Sequence, residues 1–259
     1  MTLFKTGLGA AALGALLLAA APANAGFVDY SIRGTPTITD NAGQTTFVLL
    51  NGGDKGGLGS NDINGTTLGQ ISNLHIDRLD DASRYAAGSG PAVAPYINIW
   101  ITDSTHTHFA VVANEPSNPD FQLLYNNGYD LSFADLSDKV AKIYENADTS
   151  WLPTTHSGPL GAYTFADLAG YEILNPSVAD LTTGWAGLGT GAPRDGANNA
   201  YGVNWIFGDT LSNYATDQTG YIVENASVSS TAAPEPATLA LLGAGLAGFA
   251  ASRRKRKAA

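Results

Sequence analysis

The stretch PYINIWITD, residues 95–103, decides how the rest of the chain is read. Ile97, Ile99 and Ile101 alternate with Tyr96, Asn98 and Trp100, a strict period of two. Successive side chains of a strand point to opposite faces, so this pattern predicts a β-strand with the isoleucines on one face. Shorter runs of the same type occur at 46–50, 74–78, 108–112 and 221–224, and GVNWIF (202–207) sets Val203, Trp205 and Phe207 against Asn204 and Ile206. Clusters of Gly, Asn, Pro and Asp separate them: NGGDKGGLGSNDING, NEPSNPD and GLGTGAPRDGANN read as turns. Many short strands spaced by turn signals predict a mostly β, antiparallel β-sandwich.

A weak internal repeat adds one-turn helices. SFADLSDKVAKIY begins at Ser132, TFADLAGYEIL at Thr164 and TLGQISNLHI at Thr67. Each places Asp or Gln three residues after Ser or Thr, where the two side chains satisfy the free amides of a helical turn. Glu or Gln is the usual third residue, so the two Asp versions are imperfect capping boxes. A β-type run follows each, which predicts one helical turn leading into a strand. Leu136, Val140, Ile143 and Tyr144 also fit helical spacing, leaving one longer helix over 132–145 as the other reading.

Both ends of the chain differ from its middle. Residues 1–25 carry Lys5, an apolar stretch over 8–21 and the small-x-small exit Ala23-Asn24-Ala25. These are the parts of a signal peptide, cut by a signal peptidase so that the mature chain begins near Gly26 outside the cytoplasm. At the other end come Pro234-Glu235-Pro236, sixteen uncharged residues over 237–252, and Arg253, Arg254, Lys255, Arg256 and Lys257. As a helix the uncharged run is about 24 Å long against a hydrocarbon core of about 30 Å, a short transmembrane helix that inserts if the bilayer thins or its flanks snorkel. The basic block keeps to the cytoplasmic side and sets the body outside, the topology that the signal peptide also dictates. The expected organisation is therefore a signal peptide (1–25), a β-sandwich (26–233) and a C-terminal segment (234–259).

Charge excludes one class of partner. Six of the 13 basic residues are Lys5 and the tail block, which leaves seven in the body; only Glu235 of the 23 acids lies outside it, which leaves 22. A body near −15 repels nucleic acid and anionic lipid, so no nucleic-acid partner is expected. The chain has no cysteine, which removes disulfides, thiol catalysis and thiolate metal sites.

Candidate chemistry is sparse. His106 and His108 in HTH are read on one face of a strand near Asp103, where with His75, His156 or a carboxylate they could share zinc or copper. The plainer reading is a polar strand entry beside a turn, and no metal site is assigned. SNDINGTTLGQI matches an EF-hand loop at Asp62, Asn64 and Gly65, but Ser60 and Ile71 stand at the first and twelfth positions, so that loop is rejected. Ca²⁺ on other loop oxygens stays open in so acidic a body; no other cofactor is expected. No G-x-S-x-G, no phosphate loop and no singled-out carboxylate pair occurs, so an enzyme is not the reading. Trp100 and Trp205 lie mid-strand and read as core. Trp151 in TSWLP and Trp185 in TTGWAGLG lie in turn-rich stretches, where an aromatic can stack on a sugar ring or simply pack.

The triplet, the apolar run and the terminal basic cluster, in that order and with a signal peptide, resemble a PEP-CTERM sorting signal of Gram-negative bacteria. The resemblance implies recognition and processing by an exosortase, a membrane protease–transpeptidase, with transient inner-membrane anchoring and links to exopolysaccharide, biofilm and the cell surface. The body is similar to PEP-CTERM proteins whose sandwich, of concanavalin or jelly-roll type, carries segments like TLGQISNL and APYINIW. The expectation is an exported surface or matrix protein of unassigned activity. A carbohydrate-binding module on matrix exopolysaccharide is the alternative, and a secreted glycoside hydrolase comes third.

Overall fold

The computed structural model describes residues 26–81, 93–114, 129–144, 148–183, 189, 191–208 and 220–231. The stretch at 95–103 forms β6 (Tyr96–Thr102), with every side chain buried. Its neighbours are β11 (Val203–Phe207) on one side and β7 (Phe109–Ala113) on the other, both antiparallel. The remaining strands of this larger sheet are β1 (Val28–Arg33), β4 (Lys55–Ser60), β9 (Lys142–Tyr144) and β10 (Glu172–Ile173). Their order is β1-β4-β11-β6-β7-β9, with β10 pairing the end of β6. A second sheet runs β2-β3-β12-β5-β8, from β2 (Thr37–Asn41), β3 (Gln44–Val48), β12 (Tyr221–Ser230), β5 (Ile71–Arg78) and β8 (Asp130–Leu131). The body is thus mostly β, two antiparallel sheets with a few short helices, as the period-two runs predict.

The core lies between the sheets. Ile97, Ile99, Ile101, Trp205 and Phe207 of one meet Phe47, Leu74, Ile76, Tyr221 and Val223 of the other. Phe47 stacks on Phe207 at 4.0 Å between ring centroids, and Tyr221 meets the same ring edge-on at 5.4 Å. Such pairs add to the burial of their own area. The outer face of the larger sheet is covered too. There Trp100 packs with Phe109, Val111, Ala200 and Leu181, the last from α2 (Val178–Thr183). Asn98 and Asn204 face each other across β6 and β11, buried on this side. Asn204 accepts from the Tyr30 hydroxyl at 2.6 Å, and Asn98 donates to the Tyr144 hydroxyl. Buried amides need such partners, and the tyrosines supply them.

One expectation is overturned by β4. The glycine cluster around Lys55 is not all turn: Lys55–Ser60 is a strand between β1 and β11. Glycine is used here for close approach. A Cβ on Gly57 would lie 2.7 Å from the Tyr30 ring, and one on Gly59 2.6 Å from Tyr201. Two tyrosines therefore lie flat on a strand that has no side chains in their way.

The repeated Ser/Thr-x-x-Asp/Gln segments form the expected turns. Gln70 accepts the Thr67 amide at 2.8 Å ahead of a 3₁₀ turn (Leu68–Gln70) that runs into β5. Asp135 accepts the Ser132 amide at 2.8 Å ahead of α1 (Phe133–Leu136), which is followed by β9. Asp167 accepts the Thr164 amide at 2.8 Å, and the 3₁₀ turn Ala166–Leu168 precedes β10. A fourth such turn, unread in the sequence, opens α2, where Asp180 accepts the Ser177 amide at 2.9 Å. The longer helix over 132–145 does not form. The Ala141 amide donates to Tyr163 and the Phe165 amide to Lys139, so pairing with the third repeat pulls the chain out of the helix after one turn.

Candidate functional site

Of the polar groups singled out in the sequence, Asp103, His106 and His108 lie together in the turn between β6 and β7. Asp103 follows β6, and its carboxylate accepts from the Thr107 amide (3.0 Å), the His108 amide (3.2 Å) and the Thr105 hydroxyl (2.6 Å). The chain therefore reverses before β7, and His106 takes a left-handed φ of 55°. The histidines lie in this hairpin turn, not on one face of a strand as their spacing suggests. Asp103 is the reason, because its side chain substitutes for the missing ladder bonds. Burial opposes ionisation of Asp103, but the Thr105, His108 and backbone hydrogen bonds outweigh it and hold the carboxyl well below the usual range.

The two imidazoles look to different partners. His108 Nδ1 lies 3.0 Å from Asp103 Oδ2, and His106 Nε2 lies 3.0 Å from Glu172 Oε2 on β10. His75 sits on β5 of the other sheet, 3.3 Å from Asp77, while both ring nitrogens of His156 contact backbone carbonyls. The four histidines therefore do not meet, and among the described residues no set of three or more His, Asp or Glu converges to hold a metal. His108 Nδ1 is also 3.2 Å from the Thr107 hydroxyl. A hydroxyl–imidazole–carboxylate relay needs its two partners on different ring nitrogens, so this trio locks a turn and relays no proton.

Trp151 joins this surface, a convergence that the sequence does not reveal. Its ring lies over His108 at 6.2 Å and 22°, and meets Tyr171 edge-on at 5.2 Å. The indole donates to the Asp148 carbonyl at 2.8 Å, and the Tyr171 hydroxyl donates to the Trp151 carbonyl at 2.9 Å. Tyr163 packs on His156 at 3.9 Å between ring centroids, and its hydroxyl donates to the Pro153 carbonyl at 3.0 Å. Trp151 is half-buried against the core, so it both packs and shows an edge to solvent. Trp185 lies outside the described residues. The loop compared with a calcium site is tied to two distant segments: Asn61 accepts the Gly202 amide at 2.8 Å, and Asn64 donates to Asn175 at 2.7 Å.

Fold and surface together define a β-sandwich module in which Asp103, Asp135, Asp167 and Asp180 hold turns. Its handling by the cell is defined elsewhere: residues 232–255 match the family model of the PEP-CTERM protein-sorting motif. That motif implies an exported protein, transiently anchored in the membrane and sorted by an exosortase. No curated protein and no solved structure matches the chain. Among the described residues no helix is long and apolar enough to cross a membrane. Pro234, Glu235, Pro236, the run over 237–252, Arg253, Arg254, Lys255, Arg256, Lys257 and the signal segment 1–25 all lie outside them.

Proposed function

We propose that the chain is a non-catalytic β-sandwich delivered to the cell surface or its polysaccharide matrix, as a substrate of sorting machinery. The observation that carries this is the motif at 232–255. Pro234-Glu235-Pro236 marks the processing juncture outside the membrane, the apolar run holds it there, and the five basic residues fix orientation. A signal peptidase removes 1–25 at the other end. Intact mass of the protein released by its native host tests this: the expected species lacks 1–25 and the segment after Pro234. A released chain with a complete C-terminus would overturn the reading.

Glycan binding is the second reading, favoured by the half-buried Trp151 beside His108 and Tyr171. Aromatic faces are apolar platforms for sugar rings. Tryptophan fluorescence should shift when matrix exopolysaccharide is added, with a smaller shift in Trp151→Ala. Unchanged spectra across acidic and neutral glycans, with and without Ca²⁺, would remove this reading. Release of reducing ends from the same polymers would overturn the non-catalytic assignment.

A further inference from the structure

Where β4 ends and β11 begins, Ser60 pairs with Val203, and the loops beside this pair line a cavity of 260 Å³. Asn61 enters it directly after β4, Asn175 and Ser177 from the segment between β10 and α2, and Asn198, Asn199 and Tyr201 from the turn before β11. Asparagines from three distant segments thus meet at one place, and among the described residues no charged side chain lines it. In a body near −15 this is a neutral, amide-walled recess.

Three of these asparagines are fixed by one half of the amide and present the other. Asn61 Oδ1 accepts from the Gly202 amide at 2.8 Å and from Asn64 Nδ2 at 3.2 Å, and Asn64 Nδ2 also reaches Asn175 Oδ1 at 2.7 Å. A Cβ on Gly202 would collide with Asn64 Oδ1, so glycine there lets this chain of amides close on the start of β11. Asn198 Oδ1 accepts from Arg194 Nη1, and Asn199 Nδ2 donates to Asp195 Oδ2 at 2.8 Å. The Asn199 backbone amide donates to Asp195 Oδ1 at 2.8 Å, which tightens the turn, and Asn198 takes a left-handed φ of 64°. Among the described residues, Asn61 Nδ2, Asn198 Nδ2, Asn199 Oδ1 and the Tyr201 hydroxyl have no protein partner. Two donors, an acceptor and a hydroxyl are therefore held around one space, and groups already in place bind a ligand without first being ordered.

The geometry points to a sugar-binding cavity: Asn61, Asn198, Asn199 and Tyr201 hold one neutral pyranose ring through its adjacent hydroxyls. A hydroxyl donates once and accepts through two lone pairs, so neighbouring hydroxyls satisfy donors and acceptors together, whereas a carboxylate only accepts and an ammonium only donates. Pro176, Val178 and Ala200 supply an apolar part of the wall for the C–H face of the ring, and Val178 is 46 % exposed. The volume is below the roughly 300–1,000 Å³ of sites for drug-sized ligands, which suits one ring rather than an extended chain. The inference rests on the glycan reading for its class of ligand but not for its place, since the cavity shares no lining residue with the Trp151 surface.

The test uses the full chain in a polyoxyethylene detergent, which carries no sugar of its own. Methyl β-glycosides of galactose, glucose and mannose, and a linear trimer of each sugar, are titrated while saturation-transfer difference NMR follows the bound fraction. Asn61→Asp and Asn198→Asp keep the oxygen that fixes each side chain and replace its outward donor with an acceptor. Each should weaken binding about tenfold, the upper end of what a single hydrogen bond contributes. Asn73→Asp makes the same change on β5, off the cavity, and should titrate as wild type. A trimer that binds at least as tightly as its glycoside identifies the end of a glycan as the source, and a weaker one identifies the free sugar. Binding lost in Trp151→Ala but unchanged in Asn61→Asp and Asn198→Asp would return the sugar to the aromatic surface, overturning the cavity and leaving the glycan reading intact. No saturable signal with any probe, or equal titrations for wild type and both cavity variants, overturns the proposal.

Discussion

Asp167 shows how one carboxylate holds a loop. It accepts from the Ser157 amide (3.0 Å) and hydroxyl (2.8 Å) and from the Thr164 amide (2.8 Å) and hydroxyl (3.0 Å), fastening two segments together. Burial pushes its carboxyl up, but these four bonds prevail and hold it down at about 2. The ordinary, unfolded value is about 3.9, so the folded value is the lower one. The stability contributed is therefore present above pH ~4 and lost as pH falls toward 2. Denaturant unfolding from pH 6 to pH 2 should show wild type weakening across that window, and Asp167→Asn weakening less. Equal slopes would disprove the assignment. Asp103→Ala should destabilise by about 1–3 kcal/mol at pH 7, because two turn amides lose a charged acceptor; denaturant midpoints would reveal it. The capping role of Asp135 and Asp167 was legible, since three residues of spacing suffice to define it. Asp103 was not, because its partners, the Thr105 hydroxyl, the His108 ring and two turn amides, follow no spacing rule comparable to a capping box.

At the scale of elements, alternation is trustworthy where both faces bear side chains and fails where one face is empty. β6, β7 and β11 announce themselves through Ile, Val and Trp. β4 does not, because Gly56, Gly57 and Gly59 carry no periodicity, and only the rings of Tyr30 and Tyr201 reveal why glycine is needed. Gly57→Ala should cost about 1–3 kcal/mol through overpacking against Tyr30. In a Tyr30→Ala background the same change should cost markedly less, and strict additivity in thermal melts would refute the clash. Trp100 gives the complementary case on the outer face. It is fully buried, with its indole donating to the Pro193 carbonyl at 3.3 Å. Trp100→Ala should destabilise by about 3–5 kcal/mol, measured by denaturant unfolding. The period-two pattern placed Trp100 opposite the isoleucines but could not say what covers it. Phe109 and Val111 of the neighbouring strand pack beside it, but the rest of the cover, Leu181 of α2 and Ala200, is far off in sequence.

At the scale of the molecule, the chain passes back and forth between the two sheets, and the larger one has all its strands at β11, before β12 completes the smaller. The sorting motif at 232–255 was legible because it is linear: order and composition carry it. What the sandwich binds is set by convergence in space, and no linear reading could supply that. Replacing Pro234, Glu235 and Pro236 together with Ala should leave the protein membrane-associated with an intact C-terminus, detected by fractionation and mass; unchanged release would exclude the triplet as the mark. β12 adds a constraint of timing. It lies between β3 and β5 and is the strand that joins the β2-β3 hairpin to the β5-β8 pair. It ends at Ser230, four residues before Pro234, a reach of at most about 14 Å. An exported chain emerges N-terminus first, so the smaller sheet stays in two halves until nearly all of the body has crossed. On the proposed sorting route the last strand can dock only once nearly all of the body has crossed, so closure of the sandwich comes last and next to the sorting motif.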